Sequence, residues 1–323
     1  MIGAFWSRVR NHLYDKGLFS KIRPNEFVIS IGNLTWGGTG KTALTERLAK
    51  LLISRGYKVA ILSRGYSRES RGVVMVSDGK NILVSWNEAG DESYWLASKI
   101  PQASVVVAES RAEGISALEK FQADVILLDD AFQHRRIERD LDLLLIDASE
   151  NLHNLHVIPF GKLREPIDSI HRADAVILTH SKHGDPQTLD FVNSAKIPVF
   201  HANYYPIDFP FREKKIGAFC GIASPDHFEM LLKEQGGQLV FFRKFPDHHI
   251  YSSTEVNQLQ EEALTAGAEA LVTTGKDAVK LSSHKFLLPF EVIQVELRVE
   301  EENFEPWILQ AIESKKPAVM NKT

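Results

Sequence analysis

Residues 33–42 read NLTWGGTGKT, and the reading of this stretch decides the fold. Gly40, Lys41 and Thr42 close it as a phosphate-binding loop closes, while Thr35 stands where the G-x-x-x-x-G-K-[ST] pattern has its first glycine. The pattern requires a strand before the loop and a helix after it. FVISIGN (27–33) is an apolar run of the kind a buried strand shows, and TALTERLAKLLISRG (42–56) carries Leu44, Leu48, Leu51 and Leu52 at helical spacing. Gly37, Gly38 and Gly40 let backbone N–H groups turn inward around an anion, and the helix N-terminus adds partial positive charge. Lys41 is then placed to reach the β- and γ-phosphates, and the Thr42 hydroxyl to ligate Mg2+. Three glycines remain where the backbone must approach phosphate, so Thr35 does not defeat the pattern. The candidate nucleotide-binding set is Thr35, Gly37, Gly38, Thr39, Gly40, Lys41 and Thr42. A guanine nucleotide is disfavoured, because no [NT]-K-x-D signature is present; TTGKDA (273–278) sets lysine and aspartate side by side.

Outward from the loop, apolar runs alternate with helical ones. YKVAILSRG (57–65), SVVVAES (104–110), ADVILLDD (123–130), LDLLLIDAS (141–149) and ADAVILTHS (173–181) are continuous Val/Ile/Leu runs. Such runs suit strands buried on both faces of a parallel sheet, and the alternation predicts a doubly wound α/β domain with helices on both faces. VVMVSDGKNILVSW (73–86) reads as a hairpin turning at Asp78-Gly79. After about residue 195 the pattern restarts on a smaller scale. KIGAFCG (215–221), QLVFFRKF (238–245), ALVTTGKD (270–277) and FEVIQVELRV (290–299) read as strands of a second α/β domain. The extended IPVFHANYYPIDF (197–209) reads as the joint, which divides the chain into 1–195 and 196–323 and leaves a polar tail, KKPAVMNKT.

A length of 323 residues fits two domains, and the 44% hydrophobic and 25% charged composition is that of a soluble globular protein. The single cysteine, Cys220, excludes an internal disulfide framework and fits a reducing cytosol. No apolar run approaches the roughly 18–20 residues of a membrane span, and no secretory signal is apparent. A net charge of −4 argues against broad nucleic-acid binding. Residues 1–25 differ from the rest, with Arg8, Arg10, Lys16, Lys21 and Arg23 against the single acid Asp15. On a helical wheel Ile2, Phe5, Trp6, Val9 and Leu13 share one face. This pattern fits a helix lying in a membrane interface, and equally a helix docked on the protein's own core.

Asp129 and Asp130 end an apolar strand, where a carboxylate that holds Mg2+ sits in phosphate-loop proteins. Two adjacent buried acids repel unless a cation is present. Cationic residues recur just beyond strand ends: Arg64, Arg68 and Arg71 with Tyr66 in LSRGYSRESRG (62–72), Arg111 in AESRAEG (108–114), His134 in DDAFQHRR (129–136), and Arg164 beside Glu165 in GKLREP (161–166). Guanidinium groups in such positions suit a phosphorylated substrate. Asp91, ahead of a helical run, has a helix N-cap as its default reading, and His248 in FPDHHIYS (245–252) is by itself an ordinary histidine.

Together ISIGNLTWGGTGKT, ILSRGYSRES, EAGDESYWLA, DDAFQHRRIERDLDLLLIDA, PFGKLREP, RADAVILT, FPDHHIYS and LVTTGKDAVKL run across nearly the whole chain, and in this order they resemble the tetraacyldisaccharide 4′-kinase family of Gram-negative envelope synthesis. LSRGY, the DD-x-FQHR block and LREP are not general phosphate-loop features. Ala43 departs from the proline common in the family after GKT, and either residue suits a helix's first turn. The resemblance implies ATP-dependent phosphorylation of the 4′-hydroxyl of an acylated disaccharide 1-phosphate at the cytoplasmic face of the inner membrane; a monomer is the expected state, although the sequence itself does not give it. It implies that Asp91 and His248 form a pair that removes the hydroxyl proton, with Lys41 stabilising the transferred charge. Mg2+ would be held by Thr42, an Asp129 or Asp130 carboxylate and Glu165. Arg64, Tyr66, Arg111, His134 and Arg164 become candidate substrate or phosphate contacts, and the N-terminal helix tips toward the membrane. The competing reading is a membrane-docked ATPase switch that controls a partner. A third is a small-molecule kinase or ligase acting in solution.

Overall fold

The computed structural model describes residues 2–281 and 284–315. The tail from residue 316 on lies outside them. In chain order the strands are β1 (Phe27–Asn33), β2 (Val59–Ser63), β3 (Val74–Asp78), β4 (Ser104–Val107), β5 (Val125–Asp129), β6 (Leu141–Asp147), β7 (Ala175–Thr179), β8 (Val199–Pro206), β9 (Lys215–Cys220), β10 (Gln238–Lys244), β11 (Ala270–Thr274), β12 (Phe290–Ile293) and β13 (Val295–Val299). The α-helices are α1 (Ile2–Asp15), α2 (Lys41–Ser54), α3 (Trp86–Ala89), α4 (Asp91–Lys99), α5 (Arg111–Leu118), α6 (Pro186–Ser194), α7 (Pro225–Glu234), α8 (Ser253–Thr265), α9 (Gly275–Ala278) and α10 (Phe304–Lys315).

The larger sheet has nine strands in the order β13-β8-β7-β6-β1-β5-β2-β4-β3. Only its edge strands β13 and β3 run antiparallel to their neighbours. The apolar runs are continuous because successive residues enter different cores. Ile29, Ile31, Leu127, Leu143 and Leu145 pack on one face, with Leu44, Leu48 and Leu52 of α2. On the other, Val28, Ile126 and Leu128 form one cluster, and Leu144 with Ile146 another. At about 25 cal/mol per Å2, burial on both faces makes these central strands the main hydrophobic contribution to stability. The smaller sheet, β10-β9-β11-β12, is wholly parallel.

Two expectations need correction. First, the expected boundary at 195/196 fails. β8 is a strand of the larger sheet, and FEVIQVELRV splits at Gln294 so that β12 belongs to the small sheet and β13 to the large one. Phe304, Ile308 and Ile312 of α10 then pack into the same core as Ile29 and Leu48. The smaller unit is therefore an insertion between β8 and β13, and both its ends pass through the same place: the Ile207 amide donates to the Gln294 carbonyl at 2.9 Å. Second, VVMVSDGKNILVSW turns at Asp78-Gly79 as expected but forms only a stub of a hairpin: Ser77 bridges Ile82 and the Leu83 amide donates to the Val76 carbonyl at 2.9 Å, while β3 pairs along its length with β4.

Helix α1 divides the stripe read from its sequence. Phe5 and Trp6 are 61% and 64% exposed, whereas Val9 and Leu13 are half-buried. The side chain of Ile2 lies outside the described residues. The docked side is held by polar contacts: Arg10 and Asn11 reach Glu165, Arg8 reaches Asp168 at 3.2 Å, and Arg135 donates to the Asn11 carbonyl at 2.8 Å. Among the described residues no helix is long and apolar enough to cross a membrane.

Candidate active site

The C-terminal ends of the large sheet's strands face the smaller unit across a cleft of about 770 Å3. Ligands bind at such strand ends in open α/β sheets. The loop of residues 33–42 leaves β1 and enters α2 along this cleft. Its shape is internally braced: Asn33 donates to the Thr39 hydroxyl at 2.9 Å, and the Thr179 hydroxyl donates to the Thr39 carbonyl at 3.2 Å. Gly40 has φ +94° and lies so close to the Tyr204 hydroxyl that a side chain there would collide with it. The N-terminus of α2 carries no side-chain cap, which leaves its first amides facing the cleft for an anion. Gly37, Gly38, Thr39, Gly40, Lys41 and Thr42 all line the cleft. Thr35 does not. It is buried beneath the loop and bridges to Leu163, so its expected place in the nucleotide set is corrected to a structural one.

Three carboxylates, Asp129, Asp130 and Glu92, line the cleft beside the loop. Asp129 ends β5, buried, and accepts from the hydroxyls of Thr45 at 3.3 Å and Ser63 at 3.4 Å. Burial first, then the charges of Glu92 and Asp130, push its carboxyl up to about 6. Asp130 follows in a left-handed conformation, φ +51°. Its carboxylate lies 2.6 Å from Arg164 and 3.8 Å from Lys41, and these cations outweigh burial and hold its pKa below the usual carboxylate range. Glu92 lines the same cleft, paired with Lys276 of the smaller unit. Burial first, and the charges of Glu92 and Asp130 after it, work against a charged Asp129, which a divalent cation would relieve. Asp129, Asp130, Glu92 and Thr42 are the cleft residues with oxygen donors for Mg2+, but as they stand Asp130 and Glu92 are paired with Lys41, Arg164 and Lys276. Sequence reading passed over Glu92, although it follows Asp91 directly in the quoted EAGDESYWLA.

Glu165 does not join this set. Its carboxylate is fully buried, both oxygens are taken by Arg10, Asn11 and Arg172, and it does not line the cleft. The expected metal ligand is instead the anchor of α1. Arg111 is likewise corrected. Burial lowers its guanidinium to about 10, leaving it charged at neutral pH, and its donors go to the carbonyls of Leu62, at 2.9 Å, and Asp129. It braces the ends of β2 and β5 and cannot reach a substrate. Arg64, Tyr66, His134 and Arg164 do line the cleft. Burial first, and Arg111 next, push His134 down to about 4, which makes it a neutral imidazole at neutral pH.

The pair that spacing alone could not connect is assembled across the cleft. Asp91 is not the cap of α4 but its first residue, after Gly90 at φ +82°. His248 comes from the loop after β10, at φ +62°, and its Nδ1 lies 2.8 Å from Asp91 Oδ2. Tyr66 packs 5.0 Å from the His248 ring, and Lys280 stands 3.8 Å from Asp91. Burial works against a charged His248, but the hydrogen bond and charge of Asp91 prevail and raise its pKa above the ordinary value. Asp91 is lowered in turn, with the bond to His248 and the charge of Lys276 overcoming burial. An aspartate that fixes Nδ1–H leaves Nε2 as the proton-accepting atom, the arrangement of a general base.

The family model for tetraacyldisaccharide-1-P 4′-kinase matches residues 1–313. The tetraacyldisaccharide 4′-kinase of Desulfotalea psychrophila is 42% identical over 299 residues, covering 87% of this chain and 86% of its own. That of Aquifex aeolicus is 40% identical over 294 residues, covering 88% and 89%. The crystal structure of LpxK from Aquifex aeolicus in complex with ATP superposes with a TM-score of 0.77 at 33% identity, over 96% of each chain. On these matches, which span both sheets and the cleft between them, the chain belongs to the tetraacyldisaccharide 4′-kinase family.

Proposed function

We propose that this chain transfers the γ-phosphoryl group of ATP to the 4′-hydroxyl of a tetraacyldisaccharide 1-phosphate. The observation that carries the reading is the Asp91–His248 pair, contributed by two units of the fold, with His248 lining the same cleft as the phosphate loop and Asp91 buried behind it. A switch needs the loop and the acids but has no use for a base built across the cleft. The loop amides and Lys41 hold the β- and γ-phosphates, and Lys41 offsets charge that grows on the transferred group. His248 Nε2 accepts the proton of the attacking 4′-hydroxyl, while Asp91 holds the ring's orientation and stabilises the imidazolium that forms. Arg64, Tyr66, His134 and Arg164 contact the substrate or its phosphate. Thr42, Asp129, Asp130 and Glu92 would hold Mg2+, which when bound would neutralise charge on the phosphates.

The acyl chains of such a substrate lie in a bilayer, so the enzyme works at the inner membrane's cytoplasmic face. Exposed Phe5 and Trp6, followed by exposed Leu18 and Phe19, support this reading of α1 as the contact with lipid. The test is ATP turnover with and without detergent-dispersed lipid disaccharide. Lipid-dependent ADP release matched mole for mole by phosphorylated lipid is the expected result. ATP hydrolysis that leaves the lipid unchanged would replace the kinase with the switch.

A further inference from the structure

On the other flank of the phosphate loop from Asp91, a second set of side chains meets across the two units. Asp147 ends β6, His180 follows β7, and His227 projects from α7 of the smaller unit. A ligating atom from each lies within 4.8 Å of the others, and the two imidazole rings are 3.6 Å apart. Thr179, the residue before His180, bonds the loop at Thr39, so the cluster sits one residue from the nucleotide machinery.

Hydrogen bonding around the cluster fixes its chemistry. The Ser149 hydroxyl has one proton, which it donates to Asp147 Oδ1 at 2.7 Å. It can therefore only accept from His227 Nε2–H, 3.2 Å away. The neutral His227 ring then has its lone pair on Nδ1, which lies 3.9 Å from Asp147 Oδ2. A lone pair facing a carboxylate is unfavourable unless a proton or a metal ion lies between them. His180 Nδ1 stands 3.2 Å from Asp147 Oδ1, an ion-pair contact, while the buried His227 Nδ1 has no hydrogen-bond partner among the described residues. Ligands about 2.0–2.1 Å from a tetrahedral ion stand roughly 3.3 Å from one another, so the His180–Asp147 spacing already matches.

We propose that Asp147, His180 and His227 bind a divalent ion of the Zn2+ class, and that the bound ion pins the smaller unit to the larger one beside the phosphate loop. Two imidazoles and one carboxylate select such an ion over Mg2+, which prefers an all-oxygen shell. Ser149 plays the outer-shell part, fixing the His227 tautomer. Together with Asp91–His248, the ion would hold the cleft shut at both flanks, and it would slow turnover by slowing the opening that exchanges nucleotide.

The site is tested on full-length protein without ATP or lipid, using Co2+ as a visible probe and Zn2+ in competition with a chromophoric chelator. The wild type should take up one ion with tetrahedral Co2+ absorption, displaced by Zn2+. His227→Gln, which keeps the bulk of the side chain, and His180→Ala should each weaken binding at least about tenfold, the size that even outer-shell substitutions produce. Unchanged melting curves would show that the variants are folded. A compaction on adding Zn2+, measured by small-angle scattering, should occur in the wild type and vanish in His227→Gln. The proposal is overturned if the wild type binds no Co2+, if binding survives both substitutions, or if scattering responds alike in wild type and variant. None of these readouts depends on kinase activity, so failure here leaves the phosphoryl-transfer reading standing.

Discussion

Replacing Asp91 with asparagine keeps the shape of the side chain and removes its charge. In the structure Asp91 makes a charge-assisted bond of 2.8 Å to His248 Nδ1, largely out of water. A bond of this kind contributes about 1.5–3 kcal/mol, and at about 1.4 kcal/mol per decade of rate its loss should lower kcat by roughly 10- to 150-fold. The pH profile gives a second reading. His248 accepts a proton only when neutral, and Asp91 keeps it protonated to a higher pH than usual, so wild-type kcat should rise through an acid limb above the ordinary histidine value. Without the aspartate charge, burial dominates, and the limb should move to lower pH in Asp91→Asn. Steady-state kinetics at saturating ATP and lipid, from pH 5 to 9, measures both effects. In the double variant with His248→Ala the loss should equal that of His248→Ala alone, because the aspartate acts only through the histidine. An unshifted acid limb, or losses that multiply, would refute the idea that the two residues form one unit.

Lys41→Ala should keep a normal melting curve and lose on the order of 10^2 or more in kcat, since its ammonium acts on developing charge; near-normal activity would remove NLTWGGTGKT from the mechanism. Phe5→Asp with Trp6→Asp should weaken co-sedimentation with liposomes and raise the KM for lipid without lowering Tm, because both side chains are exposed. A destabilised variant that still binds liposomes would contradict the membrane reading of α1. Glu165→Ala strands Arg10 and Arg172 beside a buried hole, and breaking such a pair costs about 3–5 kcal/mol locally. Limited proteolysis should then cut α1 sooner while the Mg2+ dependence of activity stays unchanged; a shifted Mg2+ requirement would restore Glu165 as a ligand.

The core of the fold was legible because burial on both faces leaves a direct mark. In ADVILLDD the strand carries only apolar residues until it reaches the cleft, and in LDLLLIDAS the one earlier polar residue, Asp142, is paired with Arg139. The phosphate loop was legible for the same local reason, as a turn whose glycines and lysine have no other common use in that order. The domain boundary was not. FEVIQVELRV looks like one strand because β12 and β13 are both apolar, and nothing local reports that Gln294 separates two sheets. Glu165 and Arg111 misled because a buried ion-paired residue and a cleft residue carry the same letter. What distinguishes them is the partner, Arg172 in one case and two backbone carbonyls in the other. Asp91 and His248 were paired by resemblance alone, since a contact between residues 157 positions apart leaves no trace in spacing.

The most direct measurement is 31P NMR of the lipid recovered after reaction with ATP, together with the amount of ADP formed. The account predicts one new phosphomonoester resonance coupled to the proton at the 4′ carbon, the 1-phosphate unchanged, and one ADP for each lipid modified. ADP formed with no new lipid phosphorus, or a diphosphate built on the 1-phosphate instead, would contradict it.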